Sequence, residues 1–189
     1  DVRFYFPAAP LSLETMGYGD SRAWWMIDME GIAQLQRGDE KALRAFRELE
    51  PQGMPKVRSL LHAVVNEVAN NTKLPVGKIV VGGFSQGAML ATDVALRLEE
   101  APAGLAVLSG TLITEGVWKT KAAKRAGLPV FQSHGRSDAI LPFMAAEWLR
   151  DMFTAAKMQV DFVAFDGGHT ISGETVSRLA TFIDRTLST

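Results

Sequence analysis

At 189 residues the chain fits one domain, since domains run to about 100–200 residues, and it is long enough to bury a core. Its 47% hydrophobic and 22% charged residues exclude global disorder, and a net charge of -1 with no block of either sign speaks against a nucleic acid partner. Cysteine is absent, which excludes disulfides, thiolate metal sites and a cysteine nucleophile.

In chain order, Arg3–Phe6 is short and aromatic and is stopped by Pro7, which predicts a strand. From Ala8 to Gly53 the regularity weakens: a loop carries Trp24 and Trp25, and Asp39 is expected to cap a short helix through Leu49. The stretch at about 11–52 reads either as an insertion over the sheet's active edge or as a loop packed on the core by its two tryptophans. Val57, Leu60, Leu61, Val64, Val65 and Val68 recur at helical spacing, and Lys78–Phe84 follows as an apolar strand. Leu90, Val94 and Leu98 predict the next helix, and Gly104–Ser109 and Pro129–His134 the next strands. Met144, Trp148 and Met152 mark a further helix, Val160–Phe165 a strand, and Val176, Leu179, Ala180, Ile183 and Leu187 a closing helix. These five strands alternating with helices predict an α/β domain over 1–189, a mostly parallel sheet flanked by helices on both faces. Ligands of such sheets bind at the carboxyl ends of the strands. The uncharged runs Ile79–Thr92 and Ala101–Thr114 are too short for a membrane span.

Gly83-Phe84-Ser85-Gln86-Gly87 lies where the second strand meets a helix, the setting of a nucleophile elbow. Glycine at the flanking positions suits a turn too tight for side chains. A dinucleotide loop would need Gly at position 84, where Phe stands, and a Walker loop would need Lys and Ser or Thr where Ala88 and Met89 stand. A serine hydroxyl needs a histidine base, and the base needs an acid to hold its tautomer. Of three histidines, His62 lies off its helix's apolar stripe and His134 ends a strand, where bonding its own loop is expected. His169, in Asp166-Gly167-Gly168-His169, follows the last strand and is the expected base. Asp138, beyond the strand 129–134, is the expected acid and gives the order Ser, Asp, His; Asp166 is its competitor. No HExxH is present and the histidines are scattered, so no metal is expected.

These blocks, with Ser109-Gly110 and with His134-Gly135 leading to Asp138 and Pro142, resemble the small carboxylesterases and acyl-protein thioesterases. That group is the phospholipase/carboxylesterase family of α/β hydrolases, and the likeness covers most of the chain. The resemblance implies Ser85 as nucleophile, Asp138 as acid, His169 as base, the Gln86 N–H as one oxyanion donor, and no cofactor. It also implies a first strand and a His-Gly type loop supplying the second oxyanion N–H, neither of which stands before Asp1. About two dozen residues are therefore expected to be absent here. Trp24-Trp25-Met26-Ile27-Asp28 resembles the family's aromatic pair near an Asp, with the Asp placed further along. Trp24, Trp25, Leu13 and Leu141 are candidate walls of an apolar acyl pocket, though core packing would account for them equally.

The expectation is a serine hydrolase cleaving small carboxylic esters, thioesters or lysophospholipids through an acyl-enzyme. The alternatives are a noncatalytic binding protein on the same fold, or a triad hydrolase of peptides or lactones. A cytoplasmic setting and a homodimer complete the expectations.

Overall fold

The computed structural model describes residues 2–38 and 40–188. A short antiparallel hairpin comes first, β1 (Leu11–Ser12) and β2 (Arg22–Ala23), with Leu11 opposite Ala23. Helices α1 (Met29–Gln36), α2 (Glu40–Glu48) and α3 (Met54–Thr72) follow. Then strand and helix alternate: β3 (Val80–Phe84), α4 (Gln86–Arg97), β4 (Gly104–Leu108), α5 (Glu115–Ala122), β5 (Pro129–Gly135), α6 (Phe143–Ala155), β6 (Gln159–Phe165) and α7 (Gly173–Leu187). The main sheet is four-stranded, in the order β3-β4-β5-β6, with every pair parallel.

Side-chain alternation along each strand splits the core in two. Val81, Leu105, Val107 and Val130 face a large cluster built with α3, α4, α5 and α6. Leu108, Phe131 and Val163 face a smaller one, closed by Phe182, Leu179 and Ile183 of α7. One amphipathic helix thus covers one face, and the other helices of the alternating series cover the opposite one. Helix α4 is buried from Ala88 to Leu96 because it packs against β3 and β4 on one side and α3 and α5 on the other.

The structure corrects the first expected strand. Residues 2–9 have no ladder partner among the described residues, and Phe4 and Phe6 are 64% and 87% exposed. Aromatic residues favour a strand where a neighbour offers them a surface to pack on, and β3 and β6 end the sheet without such a partner. The sheet therefore has four strands where five were expected. The expected cap at Asp39 lies outside the described residues. Asp28, matched by resemblance to a family aspartate, is the N-cap of α1, accepting from the Gly31 N–H at 3.0 Å. Among the described residues no helix is long and apolar enough to cross a membrane.

Candidate active site

Three strands deliver the site. Ser85 stands immediately after β3, Asp138 beyond β5 and His169 beyond β6, all at the carboxyl edge of the sheet. Backbone bonds pin this edge across neighbouring strands: the Ser85 N–H donates to Leu108 O at 2.9 Å, Ser109 to Ser133 O at 2.8 Å, and Arg136 to Phe165 O at 2.9 Å.

Ser85 has φ 55° and ψ -120°, a conformation that L-residues rarely hold. The chain can make that turn because Gly83 lies against Gly87: a Cβ at Gly83 would stand 2.4 Å from the Gly87 backbone. The need for glycine is not symmetrical, since a Cβ at Gly87 would meet only Trp24 Nε1, at 3.6 Å. A second close approach assembles the other half. Gly135 runs against the loop before His169, where a Cβ would stand 2.3 Å from Gly168 O, and the Ser137 N–H donates to Gly167 O at 3.0 Å.

The result is a hydrogen-bonded line. His169 Nδ1 lies 2.7 Å from Asp138 Oδ2, and His169 Nε2 lies 2.9 Å from Ser85 Oγ. The carboxylate can only accept, so Nδ1 carries the proton, and Nε2 is left to accept from the serine hydroxyl. The Asp138 side chain is fully buried, whereas His169 is 18% exposed, with the Phe84 ring 4.8 Å from its own. Burial opposes ionisation of Asp138, yet hydrogen bonds from His134, His169, Leu141 and Ile140 outweigh it and hold the carboxyl well below the usual carboxylate range. Asp166 stays at the surface, 98% exposed and 3.8 Å from Arg136. His62 pairs with Asn66 on α3, far along the chain from this edge.

Gln86 opens α4, so its N–H belongs to the first-turn donors that no helix carbonyl reaches. Its side chain does something the sequence did not signal: Oε1 accepts from the Trp24 N–H at 3.1 Å, and Nε2 donates to Trp25 O at 3.0 Å. The elbow thereby holds the end of the β1–β2 hairpin. Ser109, also unforeseen in this role, is buried and donates to Thr170 O at 3.3 Å, steadying the chain next to His169.

The four expected pocket residues separate. Trp24 is half-buried against the elbow at Gly87. Trp25 and Leu141 are 6% and 3% exposed within the large core cluster, the packing that was the alternative account of them. Leu13 is half-buried at the hairpin turn, its N–H donated to Ser21 O at 2.9 Å.

Comparison with known proteins gives a consistent outcome. A model of the phospholipase/carboxylesterase family matches residues 1–187. The chain is 27% identical to acyl-protein thioesterase 1 of Debaryomyces hansenii, over 98% of this chain and 77% of that one. Its likeness to acyl-protein thioesterase 1 of Saccharomyces cerevisiae is 26%, over 99% and 79%. Esterase PE8 shares the fold at a TM-score of 0.77 and 23% identity, covering 96% of this chain and 77% of that one. A phospholipase/carboxylesterase from Dyadobacter fermentans does so at 0.62 and 22%, covering 85% and 71%.

Proposed function

The chain belongs to the phospholipase/carboxylesterase family and is an α/β hydrolase that cleaves esters or thioesters, and on that premise we propose that Ser85, His169 and Asp138 carry its reaction. Ser85 Oγ attacks the acyl carbonyl carbon while His169 Nε2 takes the hydroxyl proton. The negative charge that develops on the carbonyl oxygen is met by the Gln86 N–H. Collapse of the tetrahedral intermediate expels the alkoxide or thiolate, which takes the proton from His169 Nε2. Water then repeats the sequence on the acyl-enzyme, releasing the acid and restoring Ser85. Asp138 keeps Nδ1 protonated throughout and stabilises the imidazolium that forms.

The observation that supports this reading is the line of 2.9 and 2.7 Å contacts converging on a serine at φ 55°. A binding protein without turnover would have no use for a strained serine aimed at an oriented imidazole. The segment 11–52 is proposed as a cover over the site within one domain. Its ends of contact, Gln86 with Trp24 and Trp25 and Gln36 with Ala139 O, both fall at the carboxyl edge. Trp24, whose ring nitrogen lies against Gly87 two residues from Ser85, is then a wall residue of the site.

Intact mass before and after a fluorophosphonate tests the nucleophile. The expected outcome is one stoichiometric adduct on the wild type and none on Ser85→Ala. Turnover of a chain-length series of matched esters and thioesters then sets the acyl preference. An unmodified wild type that also turns over no ester overturns the reading.

A further inference from the structure

Asp138 lies between two histidines. Its Oδ1 accepts from the Ile140 and Leu141 N–H groups, both at 2.8 Å. Its Oδ2 lies 2.7 Å from His169 Nδ1 and 3.2 Å from His134 Nε2. His134 is fully buried on β5, and the same Nε2 stands 2.9 Å from Leu141 O. Facing two oxygen acceptors, Nε2 carries the ring proton and donates to both. Nδ1 is buried without a hydrogen-bond partner. An unpaired buried ring nitrogen is unfavourable, and the ring's packing, edge-on to Phe143 at 6.1 Å, asks only for an apolar ring. What the imidazole provides beyond packing is the Nε2 proton.

We propose that His134 is a positioning residue that shares Asp138 Oδ2 with His169 and so sets how strongly the carboxylate holds the His169 proton. This rests on the acyl-transfer reading above. A carboxylate oxygen that already accepts one N–H is a weaker acceptor for a second, because each bond draws off part of the same charge. His169 must take a proton from Ser85 and then give it up to the leaving group, so an over-strong Asp138 would hinder the second transfer. Because His134 also holds Leu141 O, one ring fixes the carboxylate and the backbone that supplies its other donors.

The charged groups around this cluster pair among themselves. Arg136 stands 3.8 Å from Asp166, and behind Phe143 Arg150 pairs with Glu147 at 3.4 Å and Arg178 with Glu174 at 3.6 Å. From β3 the cluster meets Phe84, and just beyond that strand Ser85.

The test compares wild type, His134→Phe and His134→Gln by the pH profile of kcat/KM on an ester and by NMR titration of the His169 ring. Without the second donor His169 holds its proton more tightly, so His134→Phe is expected to move the acid limb and the NMR midpoint up by about half a unit. His134→Gln, whose amide N–H reaches a similar point, is expected to stay near wild type. Coincident midpoints in wild type and His134→Phe, or a downward move, overturn the proposal. The nitrogen shifts of His134 in the wild type give a check that needs no variant: a proton on Nδ1 instead of Nε2 also overturns it. The NMR readouts decide the matter without turnover, whereas an absence of both turnover and fluorophosphonate adduct would count against the acyl-transfer reading instead.

Discussion

Asp138 accepts from two backbone N–H groups and two imidazoles, and its acidity follows from that. Relative to an ordinary value of 3.8 its folded-state pKa is depressed, so its contribution to stability is complete above about pH 4 and is lost as pH falls through the depressed value. Between about pH 4 and 2 the urea midpoint of the wild type should therefore fall more steeply than that of Asp138→Asn. At neutral pH the same variant should lower kcat by about 10⁴-fold, because the amide no longer enforces the tautomer that His169 needs. Ser85 and His169 were legible in the sequence because a GxSxG between strand and helix and a glycine loop after the last strand are local signals. Asp138 was separable from Asp166 only by spacing: Asp166 stands three residues before His169, where an Asp serves to order that turn, and chain order is the same for both. That His134 bonds its own loop was legible, and it does so at Leu141 O; its meeting with Asp138 was not, since the four-residue offset spans a strand end and a turn, where spacing fixes no direction.

Between elements Asp93, wholly buried on α4, ties three helices together. It accepts from Arg58 of α3, from Arg97 at 3.0 Å and from Trp118 Nε1 of α5 at 2.8 Å. Removing one partner of such a buried pair leaves charge and donors uncompensated, so Asp93→Ala should lose about 3–5 kcal/mol in chemical denaturation while the fold of α4 persists up to that transition. The strands from Lys78 onward and the helices at α3, α4, α6 and α7 were readable from periodicity, since each presents a long apolar face. Helix α5 was not, because over eight residues it buries Glu115, Trp118 and Ala122, and a charged residue in that set hides the stripe. Glu115 is tolerated there because Arg47 and Lys119 pair with it, Lys119 at 2.7 Å. Arg3–Phe6 failed in the opposite sense: its residues favour a strand, but strand formation needs a neighbour, which composition does not report.

At the scale of the molecule, the sheet gathers function on one edge and stability in the layers behind it. The large cluster and the α7 cluster hold the strands, the cross-strand backbone bonds hold their ends, and the site residues sit on the turns that leave them. Stability and the proposed chemistry conflict at Ser85, where the backbone is in a region costing of the order of 1–3 kcal/mol for any side chain. Glycine occupies that region freely, at some cost through the entropy of its unfolded chain. Ser85→Gly is therefore expected to be inert toward fluorophosphonate yet to melt a few degrees higher than the wild type in calorimetry, a net gain of about 1 kcal/mol. The sequence thus stands off its own thermal optimum at one residue, and a screen that ranked variants by heat tolerance alone would select for the loss of turnover.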